Sequence, residues 1–287
     1  MKSGFVTFVG RPNAGKSTLL NKILGEKVSI TSNKPQTTRN RVMGVLHRDD
    51  AQTVFVDTPG IHKPVTALGE RLNDTAGESL SDVDVVCLVI DASAPFGKGD
   101  QYIADQLPDG YVVIVTKGDR ASRDQMVAQI QATSSLPASE WFPVSGRTGR
   151  GVDELVEHLV SRLPEGPAYF PEDMITDVPE AFQVAELVRE QLLRRFSEEL
   201  PYSIATRITD WDWPRITCEI LVERDSQKGM VIGKGGQVLK EVGTEVRKQL
   251  PDGAFLELKV RVEKNWQHRH DALDRILDPT HGLDTLD

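Results

Sequence analysis

The sequence predicts an α/β domain with a mostly parallel sheet, followed by a smaller α+β domain. Three observations carry that expectation. Short apolar runs alternate with amphipathic stretches across residues 1–163. Four prolines, Pro164, Pro167, Pro171 and Pro179, then punctuate residues 164–179, a stretch that reads as a linker. From residue 180 to residue 277 the pattern restarts as helix, strand, strand, helix, strand, helix. A chain of 287 residues is also long for a single core.

The first apolar run, residues 5–9, reads as a buried strand, and residues 18–24 as the helix after it. A polar stretch, residues 26–41, leads to two short strands, 42–47 and 52–56, joined by a polar turn. Leu68, Leu72, Ala76 and Leu80 then recur at helical spacing ahead of the apolar strand 85–90. Residues 98–107 read as a helix, 111–115 as a buried strand, 123–133 as a helix and 141–144 as a short strand. The helix 152–163 closes the domain with Leu155, Val156, Leu159, Val160 and Leu163 on one face. Such alternation places helices on both faces of a parallel sheet. In the second domain a helix over 181–199 carries Val184, Leu187, Val188, Leu192 and Phe196. Strands over 203–209 and 215–224 follow, and a helix opens at residues 231–237 and runs to about residue 249. A half-buried strand, 254–262, and a last helix, 266–277, complete it; residues 278–287 read as an acidic, solvated, partly disordered tail.

Composition is that of an ordinary soluble protein, 39% hydrophobic and 27% charged. No apolar run approaches the roughly 20 residues that span a bilayer. The first strand begins within a few residues of Met1, which leaves no room for a signal peptide. Cys87 and Cys218 lie in apolar runs of different halves and read as buried, reduced thiols. The expected compartment is the cytoplasm. A net charge of −9 argues against non-specific nucleic-acid binding by the whole molecule, though not against a local basic site.

Residues 10–18, GRPNAGKST, match the phosphate loop G-x-x-x-x-G-K-[ST] between a strand and a helix. Gly10, Arg11, Pro12, Asn13, Ala14, Gly15, Lys16 and Ser17 form the wrap, and Thr18 opens the helix. Lys16 can reach the β- and γ-phosphates, and the Ser17 hydroxyl can hold Mg²⁺. Asp57, Thr58, Pro59 and Gly60 follow a strand, where open α/β sheets place ligands. There Asp57 can hold Mg²⁺ through water, and the Gly60 N–H can sense the γ-phosphate. Thr116, Lys117 and Asp119 address the base. Asp119 can accept from the N1–H and N2–H₂ edge of guanine, and a site built that way rejects adenine by roughly 10⁴ or more. The Lys117 stem can lie over the purine, while Ser145 and the Gly146 N–H can meet O6. In the polar loop Thr38 is the preferred third Mg²⁺ ligand, and spacing leaves Thr37 open. Such a ligand couples loop order to the γ-phosphate.

The motifs GRPNAGKS, QTTRN, DTPG and TKGD, in that order, resemble those of translation-factor-related GTPases. Within them, KPQTTRNRVMGV and the later FPEDMITDVPEAF…VRE…EELPYS resemble the Era-like family of bacterial GTPases, from the first strand to about residue 277. Two positions depart from common patterns. Thr116 stands where such GTPases usually carry asparagine, and one hydroxyl replaces only part of that amide's tether to the phosphate loop. Ile61 stands where Ras-like enzymes have a water-orienting glutamine, a feature the Era-like family shares. The resemblance then implies catalysis through Lys16, Thr38, Gly60 and Asn13, with Asn13 helping to hold K⁺ beside the phosphates.

Gly233, Lys234, Gly235 and Gly236 form a G-x-x-G loop, expected between a strand and a helix, that lets a nucleic-acid backbone approach closely. Six basic residues (Arg224, Lys228, Lys234, Lys240, Arg247, Lys248) face three acidic ones (Asp225, Glu241, Glu245) around it. The order of elements resembles a type II KH RNA-binding module, with Val231, Ile232 and Val238 beside the loop to line a groove for bases. Trp211 and Trp213 can stack on bases but flank a turn, where a structural role is commoner.

The Era-like resemblance implies a GTP-hydrolysing switch that binds the 3′ end of 16S ribosomal RNA during assembly of the small (30S) ribosomal subunit. It implies Mg²⁺, GTP and GDP as ligands, a monomer, and peripheral contact with the cell membrane as a side possibility that the acidic tail counts against. Two rivals stand: an RNA-modification GTPase, and an RNA-binding scaffold that holds nucleotide without turnover.

Overall fold

The structure is a computed structural model that describes residues 1–80 and 82–278; the tail reading for residues 279–287 lies outside the described residues. The chain forms two compact units whose sequence boundary falls at Asp177 and Val178. The first runs β1 (Lys2–Val9), α1 (Lys16–Leu24), β2 (Val42–His47), β3 (Ala51–Asp57), α2 (Ala67–Glu78), β4 (Val85–Asp91), α3 (Lys98–Ala104), β5 (Val112–Thr116), α4 (Arg123–Thr133), β6 (Glu140–Pro143) and α5 (Val152–Arg162). Its sheet order is β2-β3-β1-β4-β5-β6, with only β2 antiparallel to its neighbour. The central strands are mostly apolar, as a sheet covered on both faces requires, and Val6, Phe8, Val54, Val89 and Ile114 are fully buried. Neighbours β1 and β3 lead onward at one sheet end, and β4 lies on the other side of β1. That reversal of winding opens a crevice at the carboxyl ends of the strands.

Residues 164–177 correct the linker reading. They form no helix, as the prolines require, yet they are fastened along the first sheet. Ser3 N–H donates to the Pro164 carbonyl (2.9 Å) and Val45 N–H to that of Ile175 (2.8 Å). Buried Gln52 accepts at Oε1 from the Tyr169 and Phe170 amides (2.6 and 3.0 Å) and donates from Nε2 to the Phe170 carbonyl (2.8 Å). The Thr176 hydroxyl donates to Met43 O (2.6 Å), and the Tyr169 ring lies 4.9 Å from that of Phe5. This strap covers the edge that β2 would otherwise present to other chains.

The second unit contains α6 (Glu180–Arg195), α7 (Leu200–Ser203), β7 (Ala205–Asp212), β8 (Arg215–Val222), α8 (Asp225–Ile232), α9 (Gln237–Arg247), β9 (Phe255–Val262) and α10 (His270–Leu277). A hairpin joins β7 to β8, and β9 lies parallel to β8, so the chain crosses over through α8 and α9. Val184, Val188, Leu192, Ile216, Cys218, Ile220, Val242 and Val246 form its core, and Cys87 and Cys218 are buried free thiols.

Several predicted elements differ. The helix at 98–107 stops at Ala104, ahead of Pro108. The helix at 181–199 ends at Arg195 because Phe196 is extended, and Pro201 opens the separate α7. Residues 266–277 split into a single 3₁₀ turn and α10 at the extended Arg269. The G-x-x-G loop follows helix α8, not a strand. Gln227 Oε1 accepts from the Glu223 and Arg224 amides (2.9 and 3.1 Å) and its Nε2 donates to Ser203 Oγ (2.9 Å), which ends the strand and starts the helix. Among the described residues no helix is long and apolar enough to cross a membrane.

Gln52→Ala removes the side-chain partner of three part-buried backbone groups of the strap. We expect a loss of about 2–4 kcal/mol, read as a lower urea midpoint for the first unit; an unchanged midpoint would show that the strap adds no stability.

Candidate functional site

The crevice of the first unit gathers the predicted phosphate residues. Gly60 sits against Pro12, where a Cβ would meet Pro12 N at 2.5 Å, so glycine is required for this approach. Asn13 holds a left-handed backbone (φ 64°), which asparagine tolerates better than most residues. Buried Lys16 donates from Nζ to the carbonyls of Gly10 (3.1 Å) and Arg11 (3.2 Å). Burial lowers its ammonium to about 8, and the nearby Asp57 carboxylate offsets part of that shift. Arg11 pairs with Asp100 (3.2 Å), whose carboxylate also caps α3 at Gly97 N–H (3.0 Å), so the loop is tied to α3.

Asp57 is fully buried at the end of β3, in register with Phe8 of β1. Its Oδ2 accepts from Ser17 Oγ (2.6 Å) and Ser29 Oγ (3.0 Å), with Thr38 Oγ1 at 3.5 Å; Ser17 Oγ and Thr38 Oγ1 are 2.9 Å apart. Burial raises the carboxyl, opposed by Lys16 and by these hydroxyls. Asp57 Oδ1 is buried without a hydrogen-bond partner among the described residues. It is thus the Thr38 hydroxyl that joins the cluster. Ser29 was not anticipated. Its place is set by Asn21, whose Oδ1 accepts from Ser29 N–H (3.0 Å) and whose Nδ2 donates to Ser29 O (2.7 Å). The Thr58 side chain turns away from the crevice: its hydroxyl donates to Phe8 O (2.8 Å), so it anchors the loop rather than facing a ligand. The Ile61 side chain packs with the cluster containing Val9 and Ile90, and its N–H donates to Gly10 O (3.2 Å).

At the next strand ends lie the base residues. Thr116 Oγ1 is 2.5 Å from Ala14 O and 3.0 Å from Ile90 O, two acceptors for one proton. Asp119 is exposed and accepts from Ser145 Oγ (2.8 Å), a bond that holds its carboxyl below the usual range. Gly146 packs against the start of α1, where a Cβ would lie 3.0 Å from Leu19 N. Lys117 donates to Asp91 Oδ2 (2.6 Å), and Asp91 Oδ1 accepts from Ser93 N–H (2.8 Å) and Oγ (2.6 Å). Asp91 fixes the lysine and carried no motif to mark it. Thr18 is exposed on α1.

In the second unit Gly233 has φ 74° and ψ 171°, a combination reserved for glycine, and a Cβ there would meet Val238 Cγ2 at 2.5 Å. Gly235 and Gly236 are left-handed (φ 61° and 77°) in open space. Lys234, Gly235 and Lys240 are exposed. Val231 is not a groove residue: it is fully buried in the core and supports the loop from beneath. Ile232 and Val238 remain partly exposed. Strand β9 pairs with β8 alone among the described residues, leaving an open edge that carries exposed Lys259 and Arg261. Trp211 and Trp213 lie at the hairpin end of β8, whereas the glycine loop follows its other end, so the structure does not bring them together.

Residues 5–117 match the family described as 50S ribosome-binding GTPase, and residues 199–267 match the KH domain. GTPase Era of Mycolicibacterium smegmatis is 46% identical over 293 residues, covering 96% of this chain and 98% of the relative. Its counterpart from Mycobacterium tuberculosis is 47% identical over 294 residues, with the same 96% and 98% coverage. A crystal structure of Era in complex with MgGDPNP and nucleotides 1506–1542 of 16S ribosomal RNA matches with a TM-score of 0.90 and 38% identity, covering 96% of this chain and 98% of that one. An Aquifex aeolicus Era variant bound to GDP·AlF4⁻ matches with a TM-score of 0.90 and 38% identity, covering 96% and 99%.

The Lys16 shift has a measurable consequence. Without nucleotide the ammonium loses its proton around pH 8, whereas a bound phosphate holds the proton on. GDP affinity is therefore expected to be level below that pH and to fall above it, approaching about tenfold per pH unit, with a proton taken up on binding. Titration with GDP between about pH 7 and 9, below the range where the guanine N1–H itself ionises, checks this; a level affinity across that range would mean that Lys16 stays charged in the free protein.

Proposed function

The chain belongs to the Era family of GTPases, and from that premise we propose that it is a GTP-hydrolysing switch that holds the 3′ end of 16S ribosomal RNA in its KH domain and acts in small (30S) subunit assembly. The observation that carries this is the Asp57 cluster: a buried carboxylate and the Ser17 and Thr38 hydroxyls beside a buried lysine, at a strand-end crevice.

The donors are hard oxygens, and Asp57 Oδ1 is a buried acceptor with no protein partner among the described residues, so the set fits Mg²⁺. Ser17 and Thr38 would hold the ion directly and Asp57 through water; the ion neutralises charge on the phosphates. Lys16 places its ammonium at the β- and γ-phosphates, and the Gly60 N–H meets the γ-phosphate. Thr38 belongs to a loop without regular structure, so a γ-phosphate that engages it orders that loop and its loss releases it. Asp119 takes the guanine N1–H and N2–H₂ edge, steadied by Ser145, and Lys117 covers the purine under the hold of Asp91.

Ile61 is committed to the apolar cluster, so the attacking water must be placed by groups of the phosphate loop. Asn13 is the candidate, through a K⁺ ion held against the phosphates. In the KH domain the open backbone of Gly235 and Gly236, with Lys234 and Lys240 beside it, suits an RNA backbone, and Ile232 and Val238 suit its bases. Such work takes the protein to the cytoplasm, as a monomer on the assembling subunit.

Two measurements test this. Gly235→Asp meets no neighbour at its Cβ, and aspartate bears a left-handed backbone better than most side chains, so the chain should fold at a small cost in stability; affinity for a 16S 3′-end oligonucleotide should fall about tenfold through repulsion while GDP affinity stays level. Unchanged RNA affinity would remove the loop from the interface. For the cation, GTP hydrolysis should be several-fold faster in K⁺ than in Na⁺, and Asn13→Ala should erase the difference. Equal wild-type rates in the two salts would sink the K⁺ reading.

A further inference from the structure

Beyond the Asp57 cluster, a side chain links the two loops assigned to the γ-phosphate. His62 lies two residues after Gly60, and its Nδ1 is 3.0 Å from the Gly60 carbonyl. Its Nε2 is 3.1 Å from Gln36 Nε2, two residues before Thr38. A carbonyl can only accept, so the proton sits on Nδ1, and Nε2 accepts from the Gln36 amide. Turning the amide over would offer its oxygen to Nε2, which only the imidazolium, protonated on both nitrogens, could meet while still donating to the Gly60 carbonyl. The Gln36 oxygen is instead left buried without a partner among the described residues. The Gln36 backbone is left-handed (φ 58°), a conformation few residues other than glycine adopt.

The ring is anchored from behind. His62 N–H donates to Asn73 Oδ1 (3.2 Å) and the His62 carbonyl accepts from Asn73 Nδ2 (2.7 Å), both from α2. Contacts therefore run without a break from Gly10 through Ile61 and His62 to Gln36, and on to Thr38 in the Asp57 cluster.

We propose that His62 is a positioning residue for GTP hydrolysis, a strut that holds the Thr38 loop and Gly60 in one arrangement. It rests on the GTPase reading and deepens it. Both ring nitrogens are engaged within the protein, so His62 does not itself orient water. Its task is set by Ile61, whose side chain has no polar atom to brace these loops against each other.

His62→Ala should lower kcat at saturating GTP about tenfold, with GDP affinity within about twofold of wild type and a larger loss of affinity for a non-hydrolysable GTP analogue. His62→Gln keeps an amide facing Gln36, and His62→Asn keeps one facing Gly60; each should recover part of the rate. Gln36→Ala should slow hydrolysis in the wild type and add nothing to His62→Ala. An unchanged kcat in His62→Ala, losses that multiply in the double variant, or a GDP affinity that falls as far as kcat would each overturn the strut. If the wild-type protein failed to hydrolyse GTP, the GTPase reading would fall, and the ratio of analogue to GDP affinity in His62→Ala would still decide the strut.

Discussion

A carboxylate and an ammonium removed from water at the end of a parallel sheet constrain everything around them. Asp57 and Lys16 are both buried, and burial pushes each toward its neutral form. Such a pair is a poor source of stability, because desolvation offsets most of its attraction. The fold nevertheless surrounds it with hydroxyls from three segments: Ser17 on α1, Ser29 in the following loop and Thr38 further along it. Each is present because β1 and β3 are adjacent and parallel, with Phe8 opposite Asp57, so the phosphate loop and the carboxylate emerge side by side. The cluster makes physical sense as a preorganised place for a polyanion and its cation, which supply the charge that the protein alone leaves uncompensated.

Much of this was legible in the sequence, for a reason that can be stated. The phosphate loop, Asp57, Gly60 and Asp119 stand at strand ends, so apolar periodicity locates them as soon as it locates the strands. Residues that act through them were not legible. Asp91 secures Lys117, Ser29 and Asn21 support Asp57, and His62 reaches Gln36, all through contacts that no local spacing encodes. Helix α8 was missed because only Gln227 and Val231 on it are buried, too few to give a helical period. Val231 was misassigned for the related reason that a valine beside a glycine loop looks the same whether it faces solvent or core. The strap over residues 164–177 is irregular, as its prolines predict, but a linker in sequence gives no sign that it is fastened, since its order comes from Gln52, more than a hundred residues away.

The two units solve one problem, holding phosphate, by different means. The first adds a buried charge to a glycine-rich loop and so can distinguish how many phosphates are present. The second relies on backbone geometry at Gly233, Gly235 and Gly236, with lysines at its rim and no buried charge at the loop. A loop of the second kind suits any strand whose backbone can approach, so it carries no sequence preference of its own.

Thr116 and Ile61 look like losses when each is considered alone. Thr116 has one proton for Ala14 and Ile90, where an amide would have two donors for the tether. Ile61 gives up any polar contact with water and gains apolar packing beside Val9. In both places a neighbour one step removed adds rigidity rather than the missing contact itself. Asp91 steadies the base loop through Lys117, and His62 braces the phosphate loops beside Ile61. Rigidity supplied by such neighbours is adjustable, because neither Asp91 nor His62 is assigned a contact with the nucleotide. That freedom lets the rate of the switch change while the contacts that recognise the nucleotide stay fixed.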